Sequence, residues 1–253
     1  MTRVAVNGAA GRMGRTVIET ATSRDDLTIV CGIDATAPDL SVPTYDAADT
    51  ETAFAEHEPD AVVDFSVPDA SVSLAATAAA GGVALVIGTT GFSPAQRDSL
   101  EAASETVPVL KATNFSRGIQ ALLRSLGPAV EALDGYDIEV VETHHNQKRD
   151  APSGTAKTIL SRLREYRDFE TVTGRDGIHP RDTAEIGMLV RRAGDVRGEH
   201  EVLLAGNDEL LTLTHRAEDR AVFAAGALDS AVWVAGRDAG WYEFGDVVGR
   251  QTE

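Results

Sequence analysis

The chain's 253 residues, 43% of them hydrophobic, are enough to bury a large core in one or two domains. No apolar run approaches the roughly 20 residues that span a bilayer, and 40 acids against 23 bases leave a net charge of −17, which repels nucleic acid and anionic membranes. One cysteine, Cys31, excludes an internal disulfide and reads as a small core residue; with the first strand starting at Val4 and no room for a signal peptide, a cytoplasmic protein is expected.

Val4-Ala5-Val6 is a short apolar strand, followed directly by a glycine turn comprising Gly8, Ala9, Gly11, Arg12, Met13 and Gly14. A helical pattern (Val17, Ile18, Ala21) and a second strand (Leu27 to Ile33) ending in Asp34 come next. Strand, glycine turn, helix, strand and acid in that order describe a dinucleotide-binding unit. The spacing is GxxGxxG rather than GxGxxG, and Asp34 stands 20 residues after Gly14, where a carboxylate can accept from ribose hydroxyls. Asp46 to Glu58 reads as an exposed acidic segment.

Strands then alternate with helices: strand Ala61–Phe65, helix Asp69–Ala80, strand Val83–Ile87, a helix Pro94–Ser104 capped by Ser93, and strand Val107–Leu110. This repetition predicts an α/β fold with a doubly wound parallel sheet. Loops at the carboxyl ends of its strands should face the cofactor. They hold Ser66 and Val67; Gly88, Thr89, Thr90, Gly91 and Phe92; and Ala112, Thr113, Asn114 and Phe115.

After Asn114 the pattern changes. A long helix (Ser116 to Leu133) and an apolar strand (Ile138, Val140, Val141) lead into Glu142-Thr-His-His-Asn-Gln-Lys-Arg-Asp-Ala-Pro-Ser-Gly154, then Thr155 and an amphipathic run. That stretch reads as strand, polar loop and helix start, with two histidines, a lysine and two carboxylates beside free helix amides. Groups that move protons, set next to an anion-holding helix end, predict an active site. If the strand keeps its alternation, His144 and His145 point to opposite faces. Strand patterns at Glu170–Thr173, Ala184–Val190, Glu199–Leu204 and Glu209–Thr214 predict a second, α+β domain, and Ala221–Val234 returns to a helix that ends near Trp241 and Tyr242. No metal site is expected. The chain holds three lysines against twenty arginines, so Lys148 hints at a need that arginine cannot meet, such as giving up a proton.

These motifs resemble, in order, those of the dihydrodipicolinate reductase family. They are the glycine turn, Gly88-Thr-Thr-Gly91-Phe92, Asn114-Phe115-Ser116, the stretch His144 to Thr155, and Gly194-Asp-Val-Arg-Gly-Glu199-His200. The likeness runs from residue 3 to about residue 250. It implies a nucleotide-binding domain of residues 1–114 plus 217–253, and a substrate-binding and tetramerisation domain of residues 115–216. It further implies hydride transfer from NADH or NADPH to a cyclic, conjugated imine bearing two carboxylates, followed by protonation. His144 is then the acid and Lys148 assists it. His145 and Lys148 help to bind substrate, Gly154 and Thr155 hold a substrate carboxylate, and Arg192, which sits where the family has an arginine, joins the substrate-binding residues with its fork facing a carboxylate. His200 and His215 read as structural. Without the resemblance, a Rossmann oxidoreductase of another substrate and a nucleotide sensor without turnover stay open.

One departure is informative. Many relatives place arginine directly after the acid that ends the second strand, where it meets the 2′-phosphate of NADP, whereas here Asp34 is followed by Ala35. NADH is therefore expected to be used at least as well as NADPH. The evenly acidic, lysine-poor surface points to a protein suited to concentrated salt, where repulsion is screened over about 3 Å at 1 M.

Overall fold

The computed structural model describes residues 1–249, which fall into two compact units. Residues 1–116 and those from 220 onward form one, and residues 117–219 the other. In chain order the elements of the first are β1 (Thr2–Asn7), α1 (Arg12–Ala21), β2 (Leu27–Asp34), β3 (Thr44–Asp46), α2 (Thr50–His57), β4 (Ala61–Asp64), α3 (Pro68–Gly81), β5 (Ala84–Ile87), α4 (Pro94–Ser104) and β6 (Pro108–Lys111). The second unit holds α5 (Arg117–Ala132), β7 (Asp137–His144), α6 (Gly154–Arg164), β8 (Glu170–Val172), β9 (Glu185–Arg192), β10 (Glu199–Gly206) and β11 (Glu209–Arg216). The chain ends with α7 (Ala221–Val234), β12 (Gly240–Glu243) and α8 (Phe244–Val248), back in the first unit.

The first unit is one parallel sheet in the order β12-β6-β5-β4-β1-β2-β3. Both faces are covered, so its central strands β4 and β5 are buried at every position and apolar at all but the last of β4. Val4, Val6, Val63 and Val86 face α1 and α7, while Ala5, Ile33, Val62 and Leu85 face the helices of the other side. The order reverses between β1 and β4. At such a point the two loops diverge and open a crevice beyond the carboxyl ends of the strands. Ser93 caps α4 as its sequence predicts, with Gln96 reaching back to close a capping box.

Two segments differ from the sequence reading. Asp46 to Glu58 is not merely an exposed run: it contains the end of β3, a short 3-10 turn and α2, with Thr50, Ala53 and Phe54 buried. Adjacent apolar residues among acids leave too little 3.6-residue periodicity to read. Trp241 and Tyr242 lie in β12, a strand that pairs parallel with β6 and that the sequence reading omitted. Cys31 is fully buried, and burial pushes its thiol up to about 11, which makes it an inert core residue.

The second unit is a mixed sheet ordered β11-β10-β7-β9-β8, in which β7, β8 and β9 run parallel and β10 runs antiparallel to both its neighbours. One face packs Ile138, Val140, Ile186, Met188, Val202 and Leu204 against Leu122 and Leu126 of α5 and Ile159 and Leu163 of α6. The other presents Val141, Leu189 and Leu203, and Leu189 is 41% exposed.

Candidate active-site residues in the two units

In the first unit the site is built mainly from backbone. The N–H groups of Gly8 and Ala9 donate to the Ile33 carbonyl at 2.9 and 3.1 Å, folding the glycine turn over the end of β2. Asp34 fixes the same turn: one carboxylate oxygen accepts from the Ala10 N–H and the other from the Ala35 N–H, each at 2.8 Å. Helix α1 starts at Arg12 with Gly11 as its N-cap, and no side chain caps it. A β-carbon at Gly14 would collide with the Gly8 carbonyl, so glycine is required for the turn and the helix to meet. An uncapped helix end behind a glycine turn, with an acid at the next strand's end, fits a dinucleotide's pyrophosphate and ribose. Arg12 is exposed and Met13 half-buried at that end.

Behind these loops lies a feature the sequence reading missed. Asp64, fully buried at the end of β4, accepts from Asn7 Nδ2 at 2.8 Å, Ser66 Oγ at 2.5 Å, Ser71 Oγ at 2.5 Å and Thr89 Oγ1 at 2.8 Å. The Ser66 N–H donates in turn to Thr89 Oγ1 at 3.0 Å. Three strand ends are thereby pinned to one carboxylate, and the hydroxyls of Ser66 and Thr89 point their protons inward. An acid closing a wholly apolar strand was the available signal. Gly88 donates its N–H to the Asp64 carbonyl, Ala112 to that of Ile87, and the Asn114 side chain accepts from the Ser116 N–H. Phe115 is a core residue, edge-on to Phe65 and Phe244, while Thr90 is exposed.

In the second unit the site is built from titratable side chains. Strand β7 ends at His144, so strand alternation does not extend to His145, which stands half-buried at the start of the following loop. Glu142, with no side-chain exposure, accepts from His144 Nδ1. It also accepts from the Ser153 N–H at 2.9 Å and from both terminal nitrogens of Arg192, at 2.9 and 3.1 Å. Burial works to raise its carboxyl, but His144, Arg192 and the Ser153 N–H hold it down at about 2. The carboxylate that the Arg192 fork faces in this structure is that of Glu142. It also reaches the carbonyls of Asp150 and Arg191, at 2.7 and 2.8 Å.

Ser153 caps α6, accepting from the Ala156 N–H at 3.2 Å, so Gly154 and Thr155 head the helix. Its hydroxyl also meets His200 Nε2 at 3.1 Å. His200 is 2% exposed and lies edge-on to His144, with ring centroids 5.2 Å apart. Burial first, and His144 second, push its pKa down to about 4, so it is neutral near pH 7. Lys148 pairs with Asp150 at 2.8 Å, and its N–H donates to the His145 carbonyl. Among the described residues, ligand atoms of Glu142, His144 and His200 lie within 4.8 Å of one another. Four donors already occupy Glu142, and His200 Nε2 meets Ser153 Oγ rather than Glu142 or His144. The structure thus gathers Glu142, His144, Ser153, Arg192 and His200. Sequence reasoning singled out His144 and Arg192 individually and counted Glu142 only as one of the stretch's two carboxylates; the signal for its role was its place two residues before His144 on the same strand face.

Comparisons with known proteins address the whole chain. The family model "Dihydrodipicolinate reductase, N-terminus" matches residues 2–115, and "Dihydrodipicolinate reductase, C-terminus" matches residues 118–248. A 4-hydroxy-tetrahydrodipicolinate reductase of Haloarcula marismortui is 56% identical over 98% of this chain and 99% of its own. One from Natronomonas pharaonis is 53% identical over 97% and 99%. Among solved structures, a dipicolinate-bound dihydrodipicolinate reductase from Paenisporosarcina sp. TG-14 shares the fold with a TM-score of 0.78 at 23% identity, covering 96% of this chain and 97% of its own. The chain belongs to the dihydrodipicolinate reductase family.

Proposed function

We propose that this chain reduces 4-hydroxy-tetrahydrodipicolinate, which loses its hydroxyl as water to give the conjugated imine dihydrodipicolinate, by adding one hydride and one proton to that imine to yield tetrahydrodipicolinate, an oxidoreductase step in lysine and diaminopimelate biosynthesis. The observation that carries the reading is the pair of family models that tile the chain end to end, with the His144 to Thr155 stretch inside the second. When bound, a reduced pyridine nucleotide supplies the hydride. The glycine turn and the α1 amides hold its pyrophosphate, and Asp34 accepts from the ribose. Loops carrying Ser66, Gly88 to Thr90 and Ala112 to Phe115 shape the rest of that cradle, and NADH is the favoured partner because Ala35 provides no cation for a 2′-phosphate.

Hydride addition leaves the cyclic dicarboxylate electron-rich, and a positioned acid must protonate it. His144 delivers that proton, helped by Lys148, an ammonium that can give up a proton where a guanidinium effectively cannot. Gly154 and Thr155 at the head of α6, together with His145, receive the substrate carboxylates. Arg192 is assigned to Glu142 instead of substrate, since its terminal nitrogens are already placed there. The test is a coupled assay supplying freshly made substrate with NADH and NADPH in parallel. Substrate-dependent oxidation of NADH is expected, and nucleotide binding without oxidation would make the protein a sensor.

The exposed apolar sheet face around Leu189 supports assembly into a homotetramer. Light scattering should find four copies. With −17 charges on each subunit, the tetramer fraction should rise from about 0.1 M to above 1 M potassium chloride. A monomer at every salt concentration contradicts this assembly.

A further inference from the structure

Glu142 is a buried carboxylate with four donors, and three of them are fixed by the fold. The Ser153 N–H belongs to the helix cap, and Arg192 approaches from the end of β9 with both terminal nitrogens. The fourth is His144 Nδ1. An ionised carboxylate only accepts hydrogen bonds, so Nδ1 must carry a hydrogen whenever this pair is made. The neutral ring is then protonated on Nδ1 and bare on Nε2, and the charged ring adds its second proton at Nε2.

The rest of the surroundings agree. His200 packs edge-on to the His144 ring from β10, and being neutral near pH 7 it adds no competing charge. On the loop, Lys148 is turned onto Asp150. A β-carbon at Gly198 would stand 3.1 Å from His144 Nε2, so the missing side chain keeps that nitrogen accessible. Among the described residues Nε2 makes no hydrogen bond.

We propose that Glu142 is a positioning residue for the reduction: clamped by Arg192 and the Ser153 N–H, it holds His144 in the Nδ1–H form, so that Nε2 alone exchanges a proton with substrate. This rests on the reading of His144 as the proton donor. It extends that reading by naming the nitrogen that acts and the residue that selects it. Arg192 serves the reaction through Glu142 and need not touch substrate.

Nitrogen NMR of the full chain labelled with ¹⁵N-histidine tests the positioning without any variant. Neutral His144 should show the Nδ1–H form, and a dominant Nε2–H form overturns the proposal. In Glu142→Gln, Arg192 and the Ser153 N–H should hold the amide oxygen and turn the amide N–H₂ toward Nδ1, reversing the tautomer. Turnover should fall by about 10²–10⁴-fold, NADH affinity should be unchanged, and the acidic limb of the pH profile should move. Glu142→Asp, which keeps the carboxylate, should regain part of the loss and the Nδ1–H form. In a His144→Ala background, Glu142→Gln should cost no more than about threefold further. An equal loss in both backgrounds assigns Glu142 to structure and overturns the proposal. Near-normal turnover in Glu142→Gln, with His144→Ala inactive, overturns it alone. Near-normal turnover in His144→Ala overturns the reading beneath it, and that single variant shows so without reference to Glu142.

Discussion

The two units build their sites from opposite materials. In the first, the proposed cradle is backbone: Gly8 and Ala9 amides turned onto Ile33, an uncapped α1, and a buried Asp64 satisfied entirely by neutral donors. In the second, the candidate groups are themselves titratable, and Glu142 is held by Arg192 and His144. The difference teaches where each site is vulnerable. A backbone cradle fails when shape changes, whereas a charged cluster fails when protonation changes.

The sharpest way to break the comparison is Gly14→Ala. Its β-carbon would collide with the Gly8 carbonyl, a backbone atom that cannot swing aside. NADH affinity should fall by about 100-fold or more, equivalent to roughly 2.7 kcal/mol. The first unit should also unfold at lower urea, read by fluorescence because both tryptophans, Trp233 and Trp241, lie in it. Binding by titration calorimetry within about threefold of wild type would remove the glycine turn from the cradle.

Acid separates the units next. The pKa of His200 falls from its ordinary 6.5 to about 4 on folding, so below pH 6.5 the unfolded chain takes up the proton first. Stability should decline as pH drops from 6.5 toward 4, by up to about 1.4 kcal/mol for each pH unit crossed. The Glu142 carboxyl, lowered from 4.5 to about 2, adds stability that is present above pH 4.5 and is lost as pH falls through 2. The urea midpoint of the second unit, followed through its own amide NMR signals, should therefore fall across pH 6.5 to 4. A flat midpoint there would show that His200 is not buried neutral.

Much of this was legible in the sequence because it is governed by periodicity and turn chemistry. The apolar strands Val4 to Val6 and Ala61 to Val63, the Ser93 cap and the glycine turn each announce a local conformation. Asp64 and Glu142 were harder to read, because a lone acid in an apolar strand acquires its meaning only from partners such as Asn7, Thr89 and Arg192, which lie 57, 25 and 50 residues away. The Asp46 to Glu58 segment and β12 were missed for another reason: short elements are held by neighbours rather than by their own pattern.

Cofactor choice sharpens the comparison with a smaller effect. Asp34 is tied to the turn by Ala10 and Ala35, and no cation follows it. NADH should be used at least as well as NADPH. Asp34→Asn combined with Ala35→Arg should shift the kcat/KM ratio toward NADPH by about tenfold, roughly 1.4 kcal/mol. A wild-type preference for NADPH above that size would contradict the assignment.

The division of labour between the units is tested most directly by measuring turnover and NADH affinity together in His144→Ala, in Lys148→Arg and in the double variant. Each single variant should lose about 100-fold or more in turnover. The double should lose far less than the product of the two, because groups acting as one unit are not additive. NADH affinity should stay at the wild-type value throughout. Near-normal turnover in both single variants, with a raised Michaelis constant alone, would contradict the account and leave the His144 to Thr155 stretch a substrate clamp.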